Sequence, residues 1–173
     1  MKKVFGILAT ASLLVACGGS QPAEEPGLKD VLGDKFLVGT ALNVNQSSGR
    51  DTASLAIVKK HFNAIVAENC MKSEEIHPEK DKFNFEDADK LVQFGIDNGI
   101  TVTGHCLIWH SQCARWIWQD ENGKDVSPEV LKQNMKDHIT AIVQRYKGKI
   151  LGWDVVNEAI MEDGSYRNSI DRK

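Results

Sequence analysis

Three short segments carry residues that could do acid–base or polar-binding chemistry. The sharpest is Trp153-Asp154-Val155-Val156-Asn157-Glu158-Ala159, where an apolar run ends in an Asn-Glu pair. If that run is a strand, Glu158 stands at its C-terminal end, at a mouth. A carboxyl placed there can have its pKa raised by neighbours and poor solvation, so that it donates a proton near neutral pH. Asn157 can donate a hydrogen bond to a substrate hydroxyl. On spacing alone a single Glu after a strand is more often a solvated surface residue. The other two segments are Glu68-Asn69-Cys70-Met71-Lys72 and the stretch from His105 through Trp109 and His110 to Gln112.

These residues need elements to hold them. Phe36 to Ala41 reads as a buried strand, and Asp51 can cap a helix running through Leu55, Ile57 and Val58. Asn63 to Ala67 reads as a second strand leading into Glu68-Asn69. Ala88, Leu91, Val92, Gly95 and Ile96 recur at helical spacing, with Asn84 as the cap and Asn98-Gly99 as the stop. A third strand runs from Ile100 through Gly104 to Trp109. Ser127-Pro128 opens a helix with an apolar stripe of Leu131, Met135, Ile139, Ile142, Val143 and Tyr146, ended by Gly148. Ile150 to Val156 is the fourth strand.

Continuous apolar strands alternating with amphipathic helices imply a parallel sheet covered by helices, with right-handed crossovers. A doubly wound sheet and a (β/α)₈ barrel both fit. The first would often carry a glycine-rich phosphate loop after its first strand, and Gly39-Thr40-Ala41-Leu42-Asn43 is not one. Instead, Glu68, His105, Trp109, Asn157 and Glu158 follow strand ends, where barrel enzymes place their chemistry. The expected fold is therefore α/β, of the (β/α)₈ TIM-barrel type, with about the first four β/α units present.

The segment ending in Asn157-Glu158 resembles the acid/base signature of glycoside hydrolase family 10 endo-1,4-β-xylanases. Glu68-Asn69-Cys70-Met71-Lys72 resembles that family's ENxMK segment, and Gly104 to Gln112 resembles its GHxLxWHxQ segment. Arg145-Tyr146-Lys147-Gly148-Lys149-Ile150 matches the approach to the fourth strand. The resemblance spans about Phe36 to Ser169. It implies retaining hydrolysis of xylan or xylo-oligosaccharides without a cofactor. Glu158 would be the general acid and then the base. By the same resemblance Asn157 would bind the 2-hydroxyl beside the cleaved bond. Glu68, Asn69 and Lys72 would hold sugars toward the non-reducing end. His105 and Trp109 would flank the reaction centre, with Gln112 and Trp116 on the rim. Asp154 would pack inward as hydrogen-bonded support, and His110 and His138 would be structural.

The sequence departs from the family pattern in three places. Ala114 stands where a proline is usual, and Ser73 where a larger residue is common. More seriously, retention needs a second carboxyl about 5 Å from the first. In the family that nucleophile ends the seventh strand, and no residue here matches it; Glu162 and Asp163 lie in the loop after Glu158. The expectation is a truncated domain, whose alternative function is a catalytically inactive xylan-binding fragment. Four strands cannot close a barrel, so open edges would favour self-association.

Bulk properties agree with a globular domain. The 173 residues are 42 % hydrophobic and 26 % charged, and a net charge of -3 provides no basic field for nucleic acid. Lys2 and Lys3 precede a short apolar run, and Leu14-Val15-Ala16-Cys17 resembles a lipobox. Residues 1–17 are therefore expected to be a lipoprotein signal peptide ending at a lipidated Cys17, with 18–30 a linker and 31–173 the catalytic domain. Such a chain would be exported and held by its lipid on the bacterial cell envelope, at the outer membrane, facing the periplasm or the outside. Cys70, Cys106 and Cys113 lack CxxC pairing, and His105 with His110 lacks a third ligand at suitable spacing, so no metal site is expected.

Overall fold

A computed structural model describes residues 25–170; Cys17, the signal peptide and residues 18–24 lie outside the described residues. In chain order the elements are α1 (Leu28–Leu32), β1 (Gly39–Leu42), α2 (Val44–Ser47), α3 (Thr52–His61), β2 (Ala64–Ala67), α4 (Ser73–Ile76) and α5 (Glu86–Asp97). There follow β3 (Thr101–Gly104), β4 (Ile108–Trp109), α6 (Arg115–Trp118), α7 (Pro128–Arg145), β5 (Gly152–Trp153) and β6 (Val156–Asn157). The sheet order is β1-β2-β3-β5, every pair parallel, and β4 pairs with β6 in the same sense. This is a succession of β/α units with each strand beside the next, the arc of a barrel wall.

Register separates the two faces. Leu42 pairs with Ala67, Ile65 with Val102 and Gly104 with Trp153, and these residues face the helices. There they join Val58, Ala88, Leu91, Val92, Ile142 and Tyr146 in one buried core. Ala41, Val66 and Thr103 alternate with them and share the opposite face, which is less covered. Close packing forces glycine at Gly104, where a Cβ would land inside the Trp153 indole. Gly104→Ala is expected to destabilise the domain by about 1–3 kcal/mol through overpacking, read as a lower urea midpoint.

Local chemistry explains most boundaries. Asp51 caps α3, accepting from the Ser54 amide at 3.1 Å and the Ser54 hydroxyl at 2.6 Å. Ser127 caps α7 with Pro128 at its first turn, and Gly99 (φ 62°) and Gly148 (φ 75°) turn the chain after α5 and α7. The Arg145 guanidinium grips the Asp89 carboxylate and lies 4.0 Å over the Phe85 ring, while the Tyr146 hydroxyl donates to Asp89 at 3.0 Å. That cluster joins α5 to the end of α7.

Several sequence expectations are corrected. α1 (Leu28–Leu32) straddles the boundary between residues 30 and 31, and Lys29 Nζ donates to the Lys59 carbonyl near the end of α3. The first strand begins at Gly39, because Val38 is held at a corner by Asn63, and Phe36 and Leu37 before it are exposed. Asn84 does not cap α5; its side chain donates to the Glu75 carbonyl, and Phe85 takes the cap position. Glu86, Asp87 and Asp89 supply the favourable charge of the first turn instead. The third and fourth strands are each interrupted. The break falls at the same level in both, with Asp154 N donating to the Gly104 carbonyl and Leu107 N to the Asp154 carbonyl. Leu151, which reads as core, is 73 % exposed.

The helix α7 buries two polar residues that an apolar stripe does not predict. Asn134 donates to the carbonyls of Trp116 and Ile117 at 3.0 and 3.2 Å, tying α7 to α6. His138 is wholly buried and meets His77 across the α4 loop, Nδ1 to Nδ1 at 3.1 Å. Each outer ring nitrogen faces a main-chain carbonyl: Lys80 at 2.8 Å from His77 Nε2, and Leu107 at 3.1 Å from His138 Nε2. Phe83 stacks on His77 at 3.8 Å. Among the described residues no helix is long and apolar enough to cross a membrane.

Candidate active site

The strands deliver their polar residues to one mouth. Glu68 and Asn69 follow β2, His105 follows β3, and Trp109 on β4 is the register partner of Asn157 on β6. Glu158 comes directly after β6. Two carboxylates, an imidazole, an indole and two amides thus meet at the C-terminal end of a parallel arc.

On one side of this mouth Lys72 organises the amides. Its Nζ donates to Asn69 Oδ1 at 2.8 Å and to Gln112 Oε1 at 2.7 Å, and lies 4.7 Å from the Trp109 ring centre. Lys72 is only 7 % exposed, although its hydrogen-bond acceptors are neutral amides. A buried ammonium fixed this way suits neutral polar groups such as hydroxyls. Glu68 is exposed and shares a cleft of about 360 Å³ with Asn43, Val44, Asn45 and Asn69.

On the other side sits Glu158. Its Oε2 accepts from Trp109 Nε1 at 3.0 Å and from His110 Nε2 at 2.8 Å. Both donors use one oxygen, and neither touches Oε1. These hydrogen bonds, His110 first and Trp109 second, hold the carboxyl below the usual glutamate range, and the charges of His110 and Arg167 add to them. The expectation of a raised pKa is therefore corrected for this chain: the side chain is 51 % exposed, and desolvation is too weak to oppose two N–H donors. The Glu158 backbone is left-handed at φ 52°, and so is that of Gln112 at φ 47°.

His105 Nδ1 lies 2.8 Å from Asp154 Oδ2, so the carboxylate accepts from Nδ1–H and fixes the tautomer. Asp154 supports His105 as read from the sequence, but it does not pack inward; its side chain is half exposed. Trp116 is not on the rim. Its Nε1 donates to the His77 carbonyl at 2.8 Å and its ring packs on the His77 imidazole. Sequence reasoning underrated His110, whose proximity to Glu158 depends on the β4–β6 pairing between residues 48 apart in sequence. It missed Arg167 altogether. After Glu158 a hairpin turn bridges Ile160 to Tyr166, and Arg167 returns to donate from N to the Ala159 carbonyl at 2.8 Å. A cleft of about 750 Å³ runs beside Trp109, Trp118, Asn157, Glu158, Tyr166 and Arg167.

Among the described residues no group of three or more His, Cys, Asp or Glu is placed to hold a metal ion. Cys70, Cys106 and Cys113 are free thiols, and burial pushes Cys70 and Cys106 up to about 11.

Known proteins resemble this chain in sequence and fold. Endo-1,4-beta-xylanase A of Xylanibacter ruminicola is 54 % identical over 145 residues, which take in 84 % of this chain and 39 % of that protein. An endo-1,4-beta-xylanase/feruloyl esterase of the same species is 44 % identical over 178 residues, covering 100 % of this chain and 24 % of that one. Among solved structures, a psychrophilic glycoside hydrolase family 10 endo-beta-1,4-xylanase superposes with a TM-score of 0.78 at 45 % identity, over 84 % of this chain and 46 % of that chain. A family 10 endoxylanase retrieved from sugarcane soil metagenome gives 0.77 at 42 % identity, over 83 % and 42 % respectively. The chain thus spans less than half the length of each of these proteins. The structural neighbours are (β/α)₈ barrels, and the β/α arc described above is part of that fold. The sequence profile of glycosyl hydrolase family 10 matches residues 27–173, and the chain belongs to that family.

Proposed function

We propose that this chain forms the acid/base side of a retaining endo-1,4-β-xylanase that cuts internal bonds of xylan. The observation that carries this is Glu158 with two N–H donors on one oxygen, in the same mouth as the Lys72–Asn69–Gln112 cluster. Oε1 gives its proton to the departing sugar oxygen as the glycosidic C–O bond breaks, and later takes a proton from the attacking water. Asn157 holds the 2-hydroxyl beside the scissile bond. Glu68, Asn69 and Lys72 hold the sugar next toward the non-reducing end, with His105 and Trp109 at the reaction centre.

The second carboxylate required for retention has no match in this sequence, so this reading assigns it to residues outside the segment. Its negative charge would oppose the donors on Glu158 and raise that carboxyl's proton affinity, as an acid role needs. A second reading, a xylan-binding segment without hydrolysis, draws on the same missing carboxylate. The test is xylotetraose binding by calorimetry beside reducing-sugar release from xylan, using the 173-residue chain. Binding without hydrolysis is expected, and Lys72→Ala should weaken it by about tenfold, the loss of a charge-assisted hydrogen bond. Hydrolysis that survives Glu158→Ala would sink the assignment of that residue.

We further propose that the chain is exported as a lipoprotein, with residues 1–17 removed and Cys17 acylated, and stays on the cell envelope. The lipobox-like Leu14-Val15-Ala16-Cys17 supports this. A mature N-terminus at Cys17 carrying acyl mass is the expected result from membrane-extracted protein; an unmodified soluble form refutes it. The outer edges of β1 and β5 and the exposed Val155 and Val156 support self-association of the isolated segment. Light scattering should show mass rising with concentration, and a constant monomer would exclude it.

A further inference from the structure

We infer that Arg167 is a positioning residue for Glu158: it pins the left-handed main chain of Glu158 and so keeps the carboxyl aimed at Trp109 and His110. The inference rests on the reading of Glu158 as the proton donor and adds to that reading the device that holds it. A residue with a Cβ enters the φ-positive region at a cost and stays there only where its surroundings fix it. Glu158 does so at φ 52°. Its side chain is fixed by two donors, which does not fix its carbonyl. That role falls to Arg167, whose Nε donates to the Glu158 carbonyl at 3.1 Å while its own amide donates to the Ala159 carbonyl at 2.8 Å. One residue thus holds two consecutive carbonyls.

The intervening turn is built to return Arg167 to that place. Met161 pairs with Ser165, Asp163 accepts from the Ser165 amide at 2.9 Å and its hydroxyl at 2.6 Å, and Gly164 takes φ 82°. Every residue from 161 to 169 is exposed except Arg167. Tyr166 beside it, the apolar residue a turn would ordinarily tuck in, is 82 % exposed. A charged side chain has taken the inward position. His110 and Arg167 are the charged or titratable groups acting on Glu158, and the Arg167 charge favours the ionised carboxylate.

The test uses the 173-residue chain with carbon-13 carboxyl labels, Glu158 being assigned by its loss in Glu158→Gln. In Arg167→Gln the Glu158 titration should move up toward the ordinary glutamate range, and the Trp109 indole N–H should lose its protection from exchange. Arg167→Lys keeps the charge without the planar donor, so protection should fall while the titration moves less. Asp163→Ala, which loosens the turn that returns Arg167 but keeps its guanidinium, should move both readings the same way and by less. A folded Arg167→Gln protein with unaltered Glu158 titration and Trp109 protection would overturn the inference. So would Asp163→Ala reproducing the full effect, since Arg167 would then be only a staple of the turn. Should Arg167→Gln fail to fold, unaltered Trp109 protection in Arg167→Lys overturns it equally. None of these readings requires catalysis or bound sugar, so failure of the chain to bind xylotetraose would sink the functional reading and leave this one standing.

Discussion

Glu158→Ala lowers xylan hydrolysis by roughly 10²–10⁴-fold in a protein that joins this segment to the remainder of a family 10 domain; that is the expected size of a lost general acid/base. The loss should depend on the leaving group. On the proposed reading the departing oxygen of natural xylan needs the proton held on Oε1, so bond breaking itself should slow. An aryl xyloside with an acidic phenol leaves unaided, so its first step should be nearly normal and the second, base-assisted step should limit. Azide, which needs no base to attack, should then restore turnover and give a glycosyl azide of retained configuration. Steady-state rates with both substrates, with and without azide, check this. An equal loss on both substrates with no azide rescue would assign Glu158 a structural role. The geometry adds a secondary expectation. Trp109 and His110 both occupy Oε2, so removing His110 as a donor should move the basic limb of the kcat/KM profile, where the acid loses its proton, to higher pH rather than abolish the reaction.

The second large effect concerns acid. His77 and His138 form a buried pair, and burial lowers the proton affinity of both, His138 from the ordinary 6.5 to about 4. The charge of Asp81 favours a proton on His77, but burial outweighs it. Their folded pKa values lie below the unfolded one, so the unfolded chain takes protons first. Stability is therefore complete above about pH 6.5 and is lost as the pH falls toward 4. For His138 alone the loss is about 2 kcal/mol at pH 5 and about 3 kcal/mol at its limit. Burial is the cause, and hydrogen counting shows what opposes it. Three contacts in a row, from the Lys80 carbonyl through both rings to the Leu107 carbonyl, need three hydrogens. Two neutral imidazoles bring two. Acid supplies the third, yet places a charge among Phe83, Trp116 and Leu107. Urea midpoints of wild type and His138→Gln at pH 5 and 7.5 test this: the variant should lose most of the pH slope, and parallel slopes would exclude the pair as its source.

Much of this was legible in the residues. Glu158, Asn157, Lys72 and Trp109 follow apolar runs, and a parallel arrangement brings strand ends together whatever the details. The α3 and α7 caps were readable because Asp51 and Ser127-Pro128 act on their own neighbours in sequence. What escaped depends on distant pairings. The break between β3 and β4 follows from hydrogen bonds to Asp154, fifty residues away in sequence from Gly104. The burial of Asn134 and His138 follows from carbonyls on α6 and at Leu107, which no periodicity encodes. The direction of the Glu158 shift was misjudged because strand-end position was equated with desolvation, whereas hydrogen-bond donors at an open mouth act the other way.

The strand order β1-β2-β3-β5 follows the chain, each strand bonded to the one before it, with β4 and β6 continuing the last pair. A wall assembled this way behaves as a row of units whose cohesion comes from nearest neighbours. Its middle is held from both sides and its ends from one. Amide exchange should therefore be slowest in β2 and β3 and quicken outward to Gly39 and Trp153, so that the domain loosens from its rims inward. The strand that leads into His105 opens last, while the β4–β6 pair that seats Glu158 lies at the fast end, where a neighbouring strand would steady it most.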